Sequence, residues 1–429
     1  MIKEREYKKR RERLLSKLSK NSVGVLFSSS YKIRSNDTEY PFRQDSNFYY
    51  VSGFLEDNSC LVFVKKSKKI KTVLFVAKKD KTQELWNGKR VGTDEAKRRF
   101  LVDEVYEYGE FNTKLKEYLK NKKSLYYDFK LDYSKVKVIK RYSKEVESFH
   151  NISSLVQKMR LIKSNSEIEL IKKAISITKD AHHKAMSRAS LLKYEYQLQA
   201  EIEYAFKSKG AYSDAYTSIV ACGNSANTLH YIENSRELKS GELILIDAGC
   251  EYKYYASDIT RTIPADGKFT PAQKELYEMV LKTQLEIIKM IKPKVKRSEL
   301  QKKAVELLSQ GMINLDILKG SLKKAIKNEL YKKYYPHGIG HWMGIDVHDV
   351  APYKYKNGRE IPLKEGMILT IEPGIYIDED DEDVPKKYRG IGIRIEDDIL
   401  VTKNGCKNLS EDIAKEIQAV ESLADTTVL

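Results

Sequence analysis

The 429-residue sequence predicts an α+β fold in two parts: a small α/β domain over residues 1–155, then a larger domain over 156–429 in which helices flank an antiparallel sheet. Three observations carry this expectation. The charge is divided unevenly: residues 1–160 hold 38 Lys+Arg against 21 Asp+Glu, whereas residues 161–429 hold 40 of each. The texture changes near residue 155, from short apolar runs to a long helical pattern. Beyond it, strand patterns come in neighbouring clusters and not in strict βαβ alternation, which favours antiparallel pairing. With 41% hydrophobic residues, a chain of this length can bury a core in each part.

In chain order, the apolar runs SVGVLFSSS (22–30), NFYYVSGF (47–54), SCLVFVKK (59–66) and KTVLFVAKK (71–79) read as strands, between helical patterns at 5–19 and 112–121. Ser164 is followed three residues later by Glu167, a capping-box pattern, and Ile168, Ile171, Ala174, Ile175 and Ile177 recur at near-helical spacing. A long helix therefore opens the second domain. Helical stretches at about 194–208 and 271–291 flank the strand candidates TSIVACG, ELILIDAG and ASDITRTI, and strand-like runs resume after 337. The acidic run Asp378 to Asp383 lies between two strand patterns and reads as a solvated hairpin loop.

Several function classes recede on composition. No window approaches eighteen uninterrupted apolar residues, and the charged start MIKEREYKKRRERLL has no apolar signal core, so no membrane association is expected. Cys60, Cys222, Cys250 and Cys406 are far apart, which reads as reduced thiols in a cytoplasmic protein and not as a disulfide frame or zinc clip. The net charge of +17 lies wholly in the first 160 residues, in scattered pairs such as Lys65-Lys66 and Lys122-Lys123. It reads as a solvated basic surface and not as a nucleic-acid footprint.

The chemistry is concentrated in four acids and a histidine-rich stretch. Asp247 ends the apolar run LILID, Asp258 follows in ASDITRT, Glu372 ends ILTIE, and Glu396 sits in GIGIRIEDD. An acid at the end of a buried strand costs several kcal/mol unless something compensates it. Four acids on strand-like backgrounds, with histidine available, point to convergence on a metal. In HGIGHWMGIDVHDV (337–350), His337 and His341 are spaced i, i+4, as in the helical HExxH proteases. No Glu follows His337, however, and Gly338 and Gly340 work against a helix. His348 stands at odd spacing from both, so it must reach a common site through a bend or from a neighbouring strand.

Asp247, Asp258, His341, Glu372 and Glu396, in that order within LILIDAGCEYKYYASDITRTIP, HGIGHWMGIDVHD, LTIEPGIYI and RGIGIRIEDD, resemble the ligand pattern of the pita-bread metallopeptidases. Among these the pattern is most similar to the Xaa-Pro aminopeptidases (aminopeptidase P), with the prolidases as near relatives. NDTEYPFRQDSNFYYVSGF (36–54) and ELWNGKRVG (84–92) resemble that family's N-terminal domain of creatinase/aminopeptidase P type, and MRLIKSNSEIELIKKA (159–174) its entry into the catalytic domain. The resemblance implies two divalent ions, manganese first, with cobalt or zinc also suited to oxygen-rich ligation with one imidazole. By position, Asp258 and Glu396 bridge the ions, Asp247 holds one, and His341 with Glu372 holds the other. A hydroxide between them is implied as the nucleophile on the first peptide bond of substrates with proline second. The resemblance places His230 and His348 at the reacting carbonyl and His337 against the proline ring. Glu372 would relay the proton to the leaving nitrogen. Arg394 would position substrate, with Tyr376 and Thr260 beside the site. It also implies a homo-oligomer, dimer or tetramer, in which Trp86 walls a neighbouring subunit's site. His150, His182 and His183 are left structural. A prolidase restricted to dipeptides is one alternative, and a peptide- or protein-binding module on the same fold is another; the five filled ligand positions speak against the second.

Overall fold

The computed structural model describes residues 2–67 and 69–425, which form two compact units dividing between Arg160 and Leu161. The first unit is built on a six-stranded mixed sheet, ordered Glu104–Glu107, Ile70–Val76, Cys60–Lys65, Ser22–Phe27, Ser124–Tyr127, Ser148–Asn151. The three central strands pair antiparallel and the outer ones join in parallel. Val23, Val25, Val62, Val73 and Phe75 lie at the centre of its core, as their β-branched and aromatic character favours.

NFYYVSGF is not a strand. Residues Ser46–Ser52 form a helix, because Asp45 caps it by accepting from the Phe48 amide at 2.8 Å and Gly53 closes it in the left-handed region at φ 65°. Cap chemistry at both ends outweighs the β propensity of the residues between. The unit boundary also falls five residues past the expected one. The helix Ser153–Arg160 is tied into the first unit, with Tyr50 donating to the Met159 carbonyl at 3.1 Å and Arg160 to Asn47 at 3.0 Å.

The second unit opens with the helix Asn165–Arg188, whose capping box between Ser164 and Glu167 is made in both directions. Antiparallel strands follow: Ile219–Cys222, Leu243–Asp247 and Thr260–Pro264 in one group, Ile368–Ile371, Asp397–Val401 and Cys406–Asn408 in another, and the pair Gly374–Ile377 with Ile391–Arg394. Asp378 to Asp383 occupy the connection of that last pair, where Lys333 bonds Asp381 and Asp383. Residues 337–350 are not strand-like as expected. Apart from a bridge from Trp342 to Leu369, they run irregularly and fold back on themselves, the Asp349 amide donating to the Trp342 carbonyl at 2.7 Å. The helices Arg297–Asn314 and Leu322–Lys327 have no counterpart in the sequence reading. The first lacks a side-chain cap and carries Gly311 inside it, so the usual start signal and continuity are both weak.

Arg261 fastens these pieces. It is fully buried, and all five of its N–H groups are used: on the carbonyls of Thr260, Glu396, Ile413 and Ala414 and on Asp397. The Arg261→Met variant is expected to lose roughly 3–5 kcal/mol of stability, because Asp397 and three carbonyls from other segments are left short of donors. Urea unfolding would read this, and a loss under 1 kcal/mol would show the network to be dispensable. Among the described residues no helix is long and apolar enough to cross a membrane, and the four cysteines are free thiols. Trp86, in the first unit, is 79% exposed.

Candidate metal centre

Strand ends bring the acids together. Asp247 is the last residue of its strand and lies opposite Thr260 of the next. Asp258 stands just before Thr260. Glu372 follows Ile371, and Glu396 lies between Arg394 and Asp397, where two strands meet. Two backbone bonds join these segments: the Glu396 amide donates to the Thr260 carbonyl at 3.0 Å, and the Glu372 amide to the Ile339 carbonyl at 2.9 Å. The second bond draws the histidine-rich loop onto the acids.

All five sequence-predicted ligand residues converge. Donor atoms of Asp247, Asp258 and Glu396 lie within 4.8 Å of one another, as do those of His341, Glu372 and Glu396. A third such group is Asp258, His341 and His348, so the bend in the loop returns His348 to the same place. The rings of His341 and His348 meet edge-on at 4.2 Å. With His230, His337 and Arg394 they line one cavity of about 590 Å³. His150, His182 and His183 are elsewhere: His150 stacks on Tyr126, His182 bonds the Ala248 carbonyl, and His183 accepts from the Ala414 amide.

The imidazoles are poised differently. His341 Nδ1–H donates to the Trp342 carbonyl at 3.1 Å, which turns Nε2 toward Asp258 at 3.2 Å and Glu372 at 3.8 Å. Its main chain is fixed by Thr370, which accepts from the His341 amide at 3.2 Å and donates its own amide to the His341 carbonyl at 2.9 Å. Gly340 must be glycine, since a Cβ there would lie 1.9 Å from the Thr370 carbonyl oxygen. His337 donates Nδ1–H to the Gly338 carbonyl and accepts at Nε2 from Tyr376, whose oxygen in turn accepts from Arg394 at 2.9 Å. Burial lowers His337 to about 4, so it is neutral, in agreement with those bonds.

The acids strain against one another. Burial, then the charges of Asp258, Glu372 and Asp247, holds Glu396 well above the usual carboxylate range, and burial pushes Glu372 up to about 7. His341 would be lowered by burial, but its hydrogen bond to Asp258 and the charges of Asp258 and Glu372 raise it to about 9. Protein groups alone therefore leave this cluster short of positive charge, and it retains protons to compensate. A divalent cation supplies the missing charge and takes the place of the His341 proton. The donor set fits such an ion: carboxylate oxygens with one imidazole nitrogen.

Two contributors, Tyr216 and Asp398, were missed in the sequence. Tyr216 donates to Asp247 Oδ1 at 2.6 Å, and Arg394 takes the other oxygen at 2.7 Å. Asp398 accepts from the Asp258 amide at 3.1 Å. The adjoining acids of IEDD could have pointed to Asp398; nothing in the sequence pointed to Tyr216.

Residues 169–403 match the model of metallopeptidase family M24, and residues 7–126 match the aminopeptidase P N-terminal domain. The chain belongs to metallopeptidase family M24. Among its M24 relatives, a Xaa-Pro aminopeptidase of Haemophilus influenzae is 41% identical, over 97% of this chain and 96% of that protein. Human Xaa-Pro aminopeptidase 3 is 38% identical, over 97% and 85%. The solved structure of Escherichia coli aminopeptidase P with the inhibitor Pro-Leu superposes with a TM-score of 0.95 at 37% identity, covering 99% of this chain and 98% of that one. A zinc-substituted form of the same enzyme, in complex with product, superposes equally well. As an M24 member with this two-domain arrangement, the protein is a metal-dependent exopeptidase.

Proposed function

We propose that the protein removes the N-terminal residue from peptides whose second residue is proline, using two divalent cations, manganese in the first instance. The single observation that carries this reading is the convergence of all five acid and imidazole donors on one cavity that three further histidines share. The names of the relatives support the substrate class.

In this reading Asp258 and Glu396 would be shared by both ions, Asp247 would hold one, and His341 with Glu372 would hold the other. When bound, the ions supply Lewis acidity that makes water a nucleophile near neutral pH and polarises the scissile carbonyl. The chain's own residues do the rest. Thr260 donates to Glu396 Oε2 at 2.8 Å, and Tyr216 with Arg394 holds Asp247, so these carboxylates are aimed before substrate arrives. His230 and His348 stand on the cavity wall to donate to the developing oxyanion. Glu372, on the cavity wall beside His341, carries a proton to the leaving nitrogen in this reading. Neutral His337, backed by Tyr376 and Arg394, presents a flat wall to the pyrrolidine ring. The proline nitrogen is too basic to leave as an anion, so its protonation is a necessary part of the work.

Hydrolysis of Xaa-Pro-Yaa tripeptides, Xaa-Pro dipeptides and Xaa-Ala-Yaa controls on metal-stripped protein, with and without manganese, tests this. Manganese-dependent release of the first residue from the proline tripeptides is the expected result. Cleavage confined to dipeptides would make the protein a prolidase, and no cleavage with any divalent metal would overturn the assignment.

A further inference from the structure

We propose that Arg297 reads the far end of the substrate: its guanidinium receives the C-terminal carboxylate of a short peptide whose proline lies against His337. The inference rests on the function proposed above and adds a preference for short peptides with a free carboxyl end.

Arg297 is the first residue of the helix Arg297–Asn314 and lines the same cavity as the five donors. Its Cζ lies 4.5 Å from the centre of the Tyr353 ring. Tyr353 in turn stacks on the buried Trp342, with ring centres 5.4 Å apart and planes 15° from parallel. The guanidinium is thus held on a rigid aromatic ledge, at low entropic cost for any ligand that binds it.

It has no anion of its own. Among the described residues no carboxylate pairs with Arg297, and its Nε is buried without a hydrogen-bond partner. Glu360, which approaches the start of this helix, is engaged by the amide and hydroxyl of Ser298. Arg394, the other cationic side chain in the cavity wall, is fully engaged by Asp247, Tyr376 and Thr260. A buried guanidinium nitrogen left unpaired is costly, and the cost is relieved when an acceptor arrives. The planar fork of arginine matches a carboxylate with two parallel bonds.

Its placement selects which carboxylate. Gly338 directly follows His337, and a Cβ built on Gly338 would stand 3.3 Å from Arg297 Nη2. The guanidinium therefore flanks the loop of the histidine assigned to the proline ring, and in the proposed pose it meets the substrate one step further on. In a tripeptide that step is the last residue; in a longer peptide or an amide the position receives a neutral group.

Calorimetric titration of Pro-Ala and Pro-Ala amide into the manganese-loaded protein tests this together with kcat/KM for Ala-Pro-Ala and its C-terminal amide. Wild type, Arg297→Met and Arg297→Lys are compared. The free acid is expected to be favoured over the amide by about 10- to 100-fold in wild type, the size of a charge-assisted bond. Arg297→Met should erase that preference while the constants for the amides stay within about twofold, and Arg297→Lys should keep part of it. Equal handling of acid and amide by wild type, or an undiminished preference in Arg297→Met, would overturn the proposal. The wild-type comparison decides even if a variant misfolds. Failure of the proposed function looks different: no proline peptide is turned over, whereas the acid-over-amide difference in binding is still measured.

Discussion

Asp258→Asn and Glu396→Gln should each abolish metal-dependent turnover, by about a thousand-fold or more, while leaving the protein folded. Each replacement keeps the shape of the side chain but removes one negative charge and turns an acceptor into a donor at the centre of the donor cluster. A thousand-fold loss corresponds to roughly 4 kcal/mol of transition-state stabilisation, within reach for a group that holds the catalytic charge in place. Stability of the metal-free protein should move the other way. Glu396 and Glu372 are held above their ordinary values, chiefly by burial. The folded state therefore binds their protons more tightly than the unfolded state does. By linkage the metal-free wild type loses stability as pH rises from about 4.5 toward 7, where Glu372 titrates. Glu396→Gln removes part of that penalty, so its metal-free form should melt no lower than metal-free wild type at pH 7. Metal content by elemental analysis, kcat/KM and melting curves read all three effects. Full activity in either variant would refute the assignment of a shared ligand.

His348→Ala should lower kcat by about a hundred- to ten-thousand-fold, the usual size of a general acid–base contribution, with metal content unchanged. The geometry allows two roles for this residue, since His348 stands within reach of Asp258 and His341 as a possible third donor. Its setting favours a proton-handling one. It opens onto the cavity, partial burial holds it below its ordinary value, and its ring meets His341 edge-on. A neutral imidazole there keeps an N–H to offer the substrate. Loss of metal along with activity would make it a ligand instead, and unchanged kcat would leave it structural.

The core of the site was legible because its chemistry is local in sequence. An acid ending an apolar run is an anomaly visible without a structure; Asp247 and Glu372 showed it, and Asp258 and Glu396 stood on strand-like backgrounds. Antiparallel clustering and the Ser164–Glu167 capping box were equally local. What escaped depended on distance or on competing signals. NFYYVSGF carries strand-like side chains, and only the caps Asp45 and Gly53 decide for a helix. Residues 337–350 have strand-like composition, yet their path is set by bonds to Ile368, Thr370 and Glu372, which no window of the sequence contains. Tyr216, Arg297 and Asp398 are ordinary residues in their own segments; folding alone brings them to the cavity or to the acids.

The close approach of Gly340 to Thr370 bears on how such a centre can be re-engineered. No side chain can be introduced at position 340, and the same threonine clasps the main chain of His341 from both sides. The imidazole, its Nδ1 also bonded to the Trp342 carbonyl, is consequently a fixed donor. In a directed-evolution experiment aimed at another ion, Glu372 has more room to adjust than Asp247 and Glu396, whose oxygens Tyr216, Arg394 and Thr260 already hold. The nitrogen stays where it is, one of the fixed points against which a new coordination geometry must be built.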